Sequence, residues 1–380
     1  MTAKEKLELK KGQIETGIIP MQTLKKSKFN IETLLSECIT HETPILPEIH
    51  VCKINGSNFM TLGELSTISG LPKVGKSTVV SFVISTALMP EIPTDVDTLK
   101  IRTDYTEKNI VYIDTEQSVS GTASTLKRVL KLANLEKCPE NLKYFNVRQY
   151  SIEERILHFK CIVEQLDNIA FIVIDGITDY VTGVNDELSS NEVIEMLMYY
   201  SSKLNIPIVV IIHETYGGKI RGQLGSQLER KVGGAITIKK HKEHKCFSIE
   251  PKFIRYGADF DDVYYQYNQL TSNIESLDFD EIQNVKKAVS DNTEKVKELR
   301  EILEKAYHGI TDGFTMLALK KLIGEHQINK QDATRDAKNG LIKRNFENMV
   351  KLELIECREN LYYYECQDEN LFSVQKEVPF

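Results

Sequence analysis

The sequence predicts a parallel α/β fold, with helices on both faces of a twisted sheet and a smaller module at the C-terminal end. Three observations carry this reading. Strongly apolar runs at Asn109–Asp114, 169–175 and 206–212 alternate with stretches of helical periodicity. A glycine-bounded turn, Gly70-Leu-Pro-Lys-Val-Gly-Lys-Ser-Thr78, stands between a strand pattern and a helix pattern. Beyond residue 267 the texture becomes polar, and then changes to short helices followed by a hairpin pattern.

Taken in order, residues 1–50 read as an N-terminal arm and linker, with a short amphipathic piece at 31–39 and a turn-rich stretch holding Pro44 and Pro47. Residues 51–267 form the α/β domain. Leu65–Ser69 is a strand, and a helix starts over Val79–Ile84. Strands follow at 109–114, 142–147, 169–175 and 206–212, and helices at 124–135, 152–166 and 191–204, the last capped by Ser189 or Ser190. Shorter strands at 235–240 and 246–251 suggest a β-hairpin at the sheet edge. Residues 268–292, rich in Ser, Asn and Asp, read as a linker. Residues 293–380 carry helices at 296–307, 315–324 and 332–350, then a hairpin turning at Glu359-Asn360. This is winged-helix order.

Composition narrows the class. The chain has 380 residues, 41% hydrophobic and 27% charged, with a formal net charge of −7, which fits a globular protein and gives no global case for nucleic-acid binding. No apolar run reaches the roughly 18 residues of a membrane helix, and Met1–Gly12 lacks the apolar core of a secretory signal. Seven scattered cysteines without a C-x-x-C pair suit reduced thiols, so a cytoplasmic protein is expected.

The glycine-bounded turn has the spacing of a phosphate-cradling loop. Gly70 and Gly75 allow the backbone to curl so that successive N–H groups face phosphate oxygens, and Leu71, Pro72, Lys73 and Val74 complete the cradle. Lys76 brings an ammonium to the β and γ phosphates, the Ser77 hydroxyl can ligate Mg²⁺, and Thr78 continues into a helix whose positive end faces the same charge. Phe171–Asp175 is a buried strand ending in an acid, which places Asp175 to hold the Mg²⁺ shell. Val111-Tyr-Ile-Asp114-Thr-Glu116 is a second such strand, ending in two acids, either of which can orient an attacking water.

This order of motifs resembles the RecA-like ATPases, the family of recombinases and ring-shaped replicative helicases. The resemblance spans roughly residues 60–260 and implies ATP as the nucleotide. It implies Glu116 as the catalytic base, with Asp114 as the competing carboxylate, and His213, at the end of the 206–212 run, as a γ-phosphate sensor. It also implies an arginine or lysine finger reaching a neighbouring subunit's nucleotide. Three residues compete for that role. Arg221 lies in a glycine-rich stretch (216–226) expected to be a mobile loop, and Lys252 and Arg255 lie in a late strand. Spacing of three puts Lys252 and Arg255 on opposite faces of a strand unless a bulge intervenes.

Such a family assembles as hexamers or other rings with nucleotide at subunit interfaces. From Lys219 to Arg255 there are ten Lys or Arg against three Asp or Glu, which suits either a channel wall for single-stranded DNA or a solvated face. From Thr315 to Lys351 there are eight against four, so the winged-helix pattern is locally basic and serves either DNA or protein contacts. The leading expectation is a helicase or translocase of a plasmid, phage or mobile element. The alternatives are a regulatory or recombination-mediator ATPase, and a nucleotide-dependent DNA-binding regulator.

Overall fold

The computed structural model describes residues 31–44, 47–94, 97–215, 220, 222–268, 273–308, 310, 312–326, 335–351 and 354–364. The chain divides into two compact units, Met1–Pro47 and Glu48–Phe380. The described part of the first holds one short helix, α1 (Ile31–Ser36).

The second unit is built on a nine-stranded sheet ordered β12-β11-β10-β9-β3-β8-β7-β5-β6. Its strands are β3 (Leu65–Gly70), β5 (Asn109–Asp114), β6 (Leu142–Asn146), β7 (Ile169–Asp175), β8 (Ile208–His213), β9 (Gly234–His241), β10 (Cys246–Ile254), β11 (Val263–Asn268) and β12 (Asn273–Ser276). Six of them, β9-β3-β8-β7-β5-β6, run parallel. A small separate sheet joins β1 (His50–Ile54), β2 (Ser57–Thr61) and β4 (Ile101–Thr103).

Strand residues alternate between two cores. Ile68, Ile110, Tyr112, Val173, Val209 and Ile211 face one side, where α2 (Lys76–Ala87) and α3 (Val119–Leu132) pack. Leu65, Val111, Ile113, Ile172, Ile174 and Val210 face the other, under α4 (Ile152–Gln165), α5 (Glu187–Leu204) and α6 (Gly222–Lys231). Covering both faces is why the central strands read as unbroken apolar runs, every residue of β7 being buried. β8 lies between β3 and β7, so Gly70 stands beside His213 and Asp114 beside Asp175 along one edge of strand ends.

Several expected boundaries differ, each for a local reason. Helix α3 begins at Val119 because the Ser118 hydroxyl accepts from the Gly121 N–H. Asp186, not Ser189 or Ser190, caps α5, accepting from the Ser189 N–H. The 235–240/246–251 pair is no sheet edge: β9 runs parallel to β3, and β11 and β12 extend the sheet past β10. Of the stretch expected as a mobile loop, Gly222–Ser226 opens α6, while residues 216–219 and 221 lie outside the described residues.

The expected linker at 268–292 contains β12 and the first half of α7 (Phe279–Ala306), a 28-residue helix. Asp278 there is cap chemistry: its Oδ1 accepts from the Glu281 N–H, and Glu281 Oε2 accepts from the Asp278 N–H. Val285 and Ile282 on this helix pack against Cys246, Tyr264 and Leu277. Its second half supplies Leu299, Ile302, Leu303 and Ala306 to a separate core, joined by Tyr307 at its C-cap. That core also takes Leu319 and Ile323 of α8 (Met316–His326) and Phe346 and Met349 of α9 (Arg335–Lys351). A three-stranded sheet, β13-β15-β14 (Phe314–Thr315, Leu361–Tyr363, Glu356–Arg358), completes this C-terminal part.

Candidate functional site

The phosphate loop joins β3 to α2 and depends on two glycines. Gly70 has φ +148°, and a Cβ there would stand 2.5 Å from the Ile238 carbonyl oxygen. Gly75, φ +93°, occupies the N-cap of α2 in the left-handed region. Leu71 and Val74 turn towards the core while Pro72 and Lys73 are exposed at the tip. Thr78 and Val79 N–H groups donate to the Gly75 carbonyl. Among the described residues no protein acceptor takes the N–H groups of Val74, Gly75, Lys76 or Ser77. That row of unspent donors at a helix start is what an anion requires.

Lys76 is 8% exposed. Its Nζ donates to Gly70 O (2.8 Å), Leu71 O (2.9 Å) and His213 Nδ1 (3.0 Å). Burial lowers its pKa, and Glu116, Asp175 and Glu214 act in the opposite direction. An ammonium can only donate, so His213 Nδ1 accepts and the neutral ring carries its proton on Nε2. That nitrogen stands 3.3 Å from Glu116 Oε1. The hydrogen bond from His213 is the main influence holding the Glu116 carboxyl below its usual pKa.

Asp175 is 5% exposed and its Oδ2 accepts from Tyr112 Oη (2.5 Å) and Ser77 Oγ (3.4 Å). Burial pushes its pKa up to about 6 against the Tyr112 hydrogen bond, with Asp114 and Glu116 adding to the rise. Asp114, fully buried, spends both oxygens on structure. Oδ1 accepts from the Glu116 and Gln117 N–H groups (3.0 and 2.9 Å) and Oδ2 from Thr122 Oγ1 (2.7 Å). It builds the turn that carries Glu116.

The turn is clamped to β7. Thr115 Oγ1 donates to the carbonyls of Asp175 (3.0 Å) and Gly176 (2.9 Å). Gly176 has φ +98°, and a Cβ there would lie 2.1 Å from Thr115 Oγ1 and 2.6 Å from Glu116 Cγ. Beside Thr78, between α2, α3 and the β11–β12 pair, opens a cleft of about 1410 Å³ lined by Phe82, Ser124, Arg128, Tyr267 and Ile274 among others.

The three finger candidates separate. Arg221 lies outside the described residues. Lys252 Nζ sits 2.7 Å from Glu214 Oε1 and 3.5 Å from Glu229 Oε1. Arg255 pairs with Glu64 (3.5 Å), the residue before β3, one strand length from the phosphate loop. A β-bulge between Pro251 and Phe253 does intervene, so Lys252 escapes simple alternation, yet the two side chains reach different acids. In the basic hairpin, Lys239 pairs with Glu250 and Lys240 lies over the Phe247 ring.

Tyr112, Thr115, Gly176 and Glu214 escaped sequence reasoning. Tyr112 reads as core within an apolar strand, and its partner Asp175 lies 63 positions away. The Asp175-Gly176 pair was the one legible signal, since Asp-Gly marks a turn.

Residues 45–217 match a family model described as an AAA domain. That span is under half the chain and runs from just ahead of β1 to just past His213. Among solved structures, the crystal structure of the RadB recombinase is similar at 16% identity, covering 59% of this chain and 95% of that one, with a TM-score of 0.38. No curated protein matches the chain.

Two outcomes are expected. Because the Asp175 carboxyl has a raised native pKa, the folded state binds the extra proton between about pH 4 and pH 6, so this group's contribution falls as pH rises through that window. Above it, ionised Asp175 costs on the order of 1–3 kcal/mol. Asp175→Asn should therefore melt roughly 2–4 °C higher than wild type at pH 7.5 in EDTA, the gap closing below pH 4; an unchanged or lower Tm at pH 7.5 contradicts this. Gly176→Ala should lose about 1–3 kcal/mol in denaturant unfolding, whereas Gly183→Ala, whose Cβ meets nothing within 4 Å, should stay within about 0.5 kcal/mol.

Proposed function

We propose that this chain is a Mg²⁺-dependent ATPase of the RecA-like class. The observation that carries the reading is the contact chain Lys76–His213–Glu116, formed where β3, β8 and β5 end. Ligands bind at such strand ends in open α/β sheets. The AAA-domain match over residues 45–217 supports nucleotide-dependent ATPase chemistry.

The residues present fit the nucleotide and the metal. The unspent N–H groups of 74–77 and the Lys76 ammonium suit a polyphosphate. Ser77 Oγ and the Asp175 carboxylate are hard oxygen donors that converge, as Mg²⁺ prefers. When bound, Mg²⁺ supplies charge neutralisation at the phosphates.

The protein's own part is positional. Asp114 and Thr115 fix the turn, so Glu116 is presented beside the loop as the group that orients water and accepts its proton. His213 bridges the cation that meets phosphate and the acid that meets water. Any anion that draws Lys76 away from His213 Nδ1 changes what the ring presents to Glu116, which supports the sensor role for His213.

The protein then works on DNA as an oligomer, with a helicase or translocase activity. The order helix, strand, helix, helix, hairpin at 296–363 supports a winged-helix module there. With Lys252 and Arg255 both held by acids of their own chain, Arg221 is the better finger candidate.

Lys76→Ala should abolish hydrolysis and largely abolish nucleotide binding. Glu116→Gln should bind ATP normally yet turn over about 10²-fold more slowly; hydrolysis by Glu116→Gln at the wild-type rate removes Glu116 as the base. Wild-type ATPase rate should rise with single-stranded DNA, and native mass should show an oligomer. Stimulation without strand displacement would point instead to a recombination or regulatory ATPase. Mixing Arg221→Ala with Lys76→Ala should regain activity if Arg221 acts across the interface; mixed oligomers that stay inactive count against it.

A further inference from the structure

Glu214 is 8% exposed and follows directly after His213, and sequence reasoning gave it no role. Its carboxylate Oε1 takes two donors at 2.7 Å, Ser69 Oγ and Lys252 Nζ. Its N–H donates to Gly70 O (3.1 Å), the same carbonyl that accepts from Lys76 Nζ at 2.8 Å. It also pairs with Ile220 in an antiparallel bridge.

One residue therefore touches the last strand residue before the phosphate loop, the loop's first carbonyl, and the bulge of β10. The bulge matters because Pro251 opposes Ile236 and Phe253 opposes Ala235, leaving Lys252 as the extra residue. A lysine displaced from strand alternation in this way can reach inward over the sheet face. Its side chain is 17% exposed and that of Glu214 only 5%. A carboxylate this buried requires a cation, and removing the cation alone leaves an uncompensated charge beneath the loop.

We infer that Glu214 and Lys252 form an internal positioning pair for the phosphate loop, and that Lys252 acts within its own subunit rather than across an interface. The pair fixes Ser69 and Gly70, and through the Gly70 carbonyl the resting place of Lys76. The consequence for ATP rests on the proposed ATPase reading. The consequence for loop geometry does not.

The test measures amide hydrogen exchange over residues 70–77 and affinity for a fluorescent ATP analogue, on the full chain. The variants are Lys252→Met, Glu214→Gln, the double variant, and Lys252→Arg. Lys252→Met should speed exchange across the loop and weaken the analogue's binding by tenfold or more. The double variant removes both charges, so it should return exchange to near wild type and bring affinity back to within about threefold. Lys252→Arg, which keeps the charge, should fold and bind within the same threefold range.

Additive losses in the double variant would overturn the pairing. Recovery of ATPase activity on mixing Lys252→Met with Lys76→Ala would overturn its confinement to one subunit. If wild type neither binds the analogue nor hydrolyses ATP, the ATPase reading fails, while the exchange data still decide the pair.

Discussion

An ammonium group only 8% exposed is costly unless acceptors surround it, and Lys76 is surrounded by Gly70 O, Leu71 O and His213 Nδ1. Each acceptor belongs to a strand end or to the loop that leaves it. The order β3-β8-β7-β5 is what brings these ends together, and one strand out of place would strand the charge. The carboxylates nearby, Glu116, Asp175 and Glu214, partly offset the burial that lowers the lysine's pKa. The acids in turn are held apart by separate tasks: Glu116 bonds to His213, Asp175 to Tyr112 and Ser77, Glu214 to Ser69 and Lys252.

The site sets a buried acid beside a tight turn. Asp175 is kept in a buried place that raises its carboxyl to about pKa 6, and Gly176 turns into the left-handed region directly behind it. The buried carboxyl does not favour a stable fold by itself. Asp175 and Gly176 let Thr115 clamp two strand ends and bring Glu116 alongside His213.

Much of this was legible in the residues. The loop from Gly70 to Thr78 and the acids ending β5 and β7 are local patterns, and local patterns survive folding. The central strands were equally plain, since burial on both faces writes an unbroken apolar run. What the chain concealed were partnerships across long separations: Tyr112 with Asp175, Ser69 with Glu214, and Lys252 with Glu214. Nothing in one strand announces the hydroxyl of another. Helix ends were blurred because Ser118 and Asp186 start helices earlier than the apolar periodicity does. Residues 278–292 misled for a related reason, as capping acids and an exposed helical face look like linker composition.

Helix α7 has a mechanical consequence. At 1.5 Å per residue its 28 residues span about 42 Å without a break. Val285, near its start, is wedged against Tyr264 and Cys246, and Leu303, near its end, is buried in the C-terminal core. Leu303 lies 18 residues, about 27 Å, beyond the grip at Val285, so a tilt of about 10° at the sheet carries it through about 5 Å. The same continuous helix thus ties the packing beside β10 and β11 to the C-terminal core.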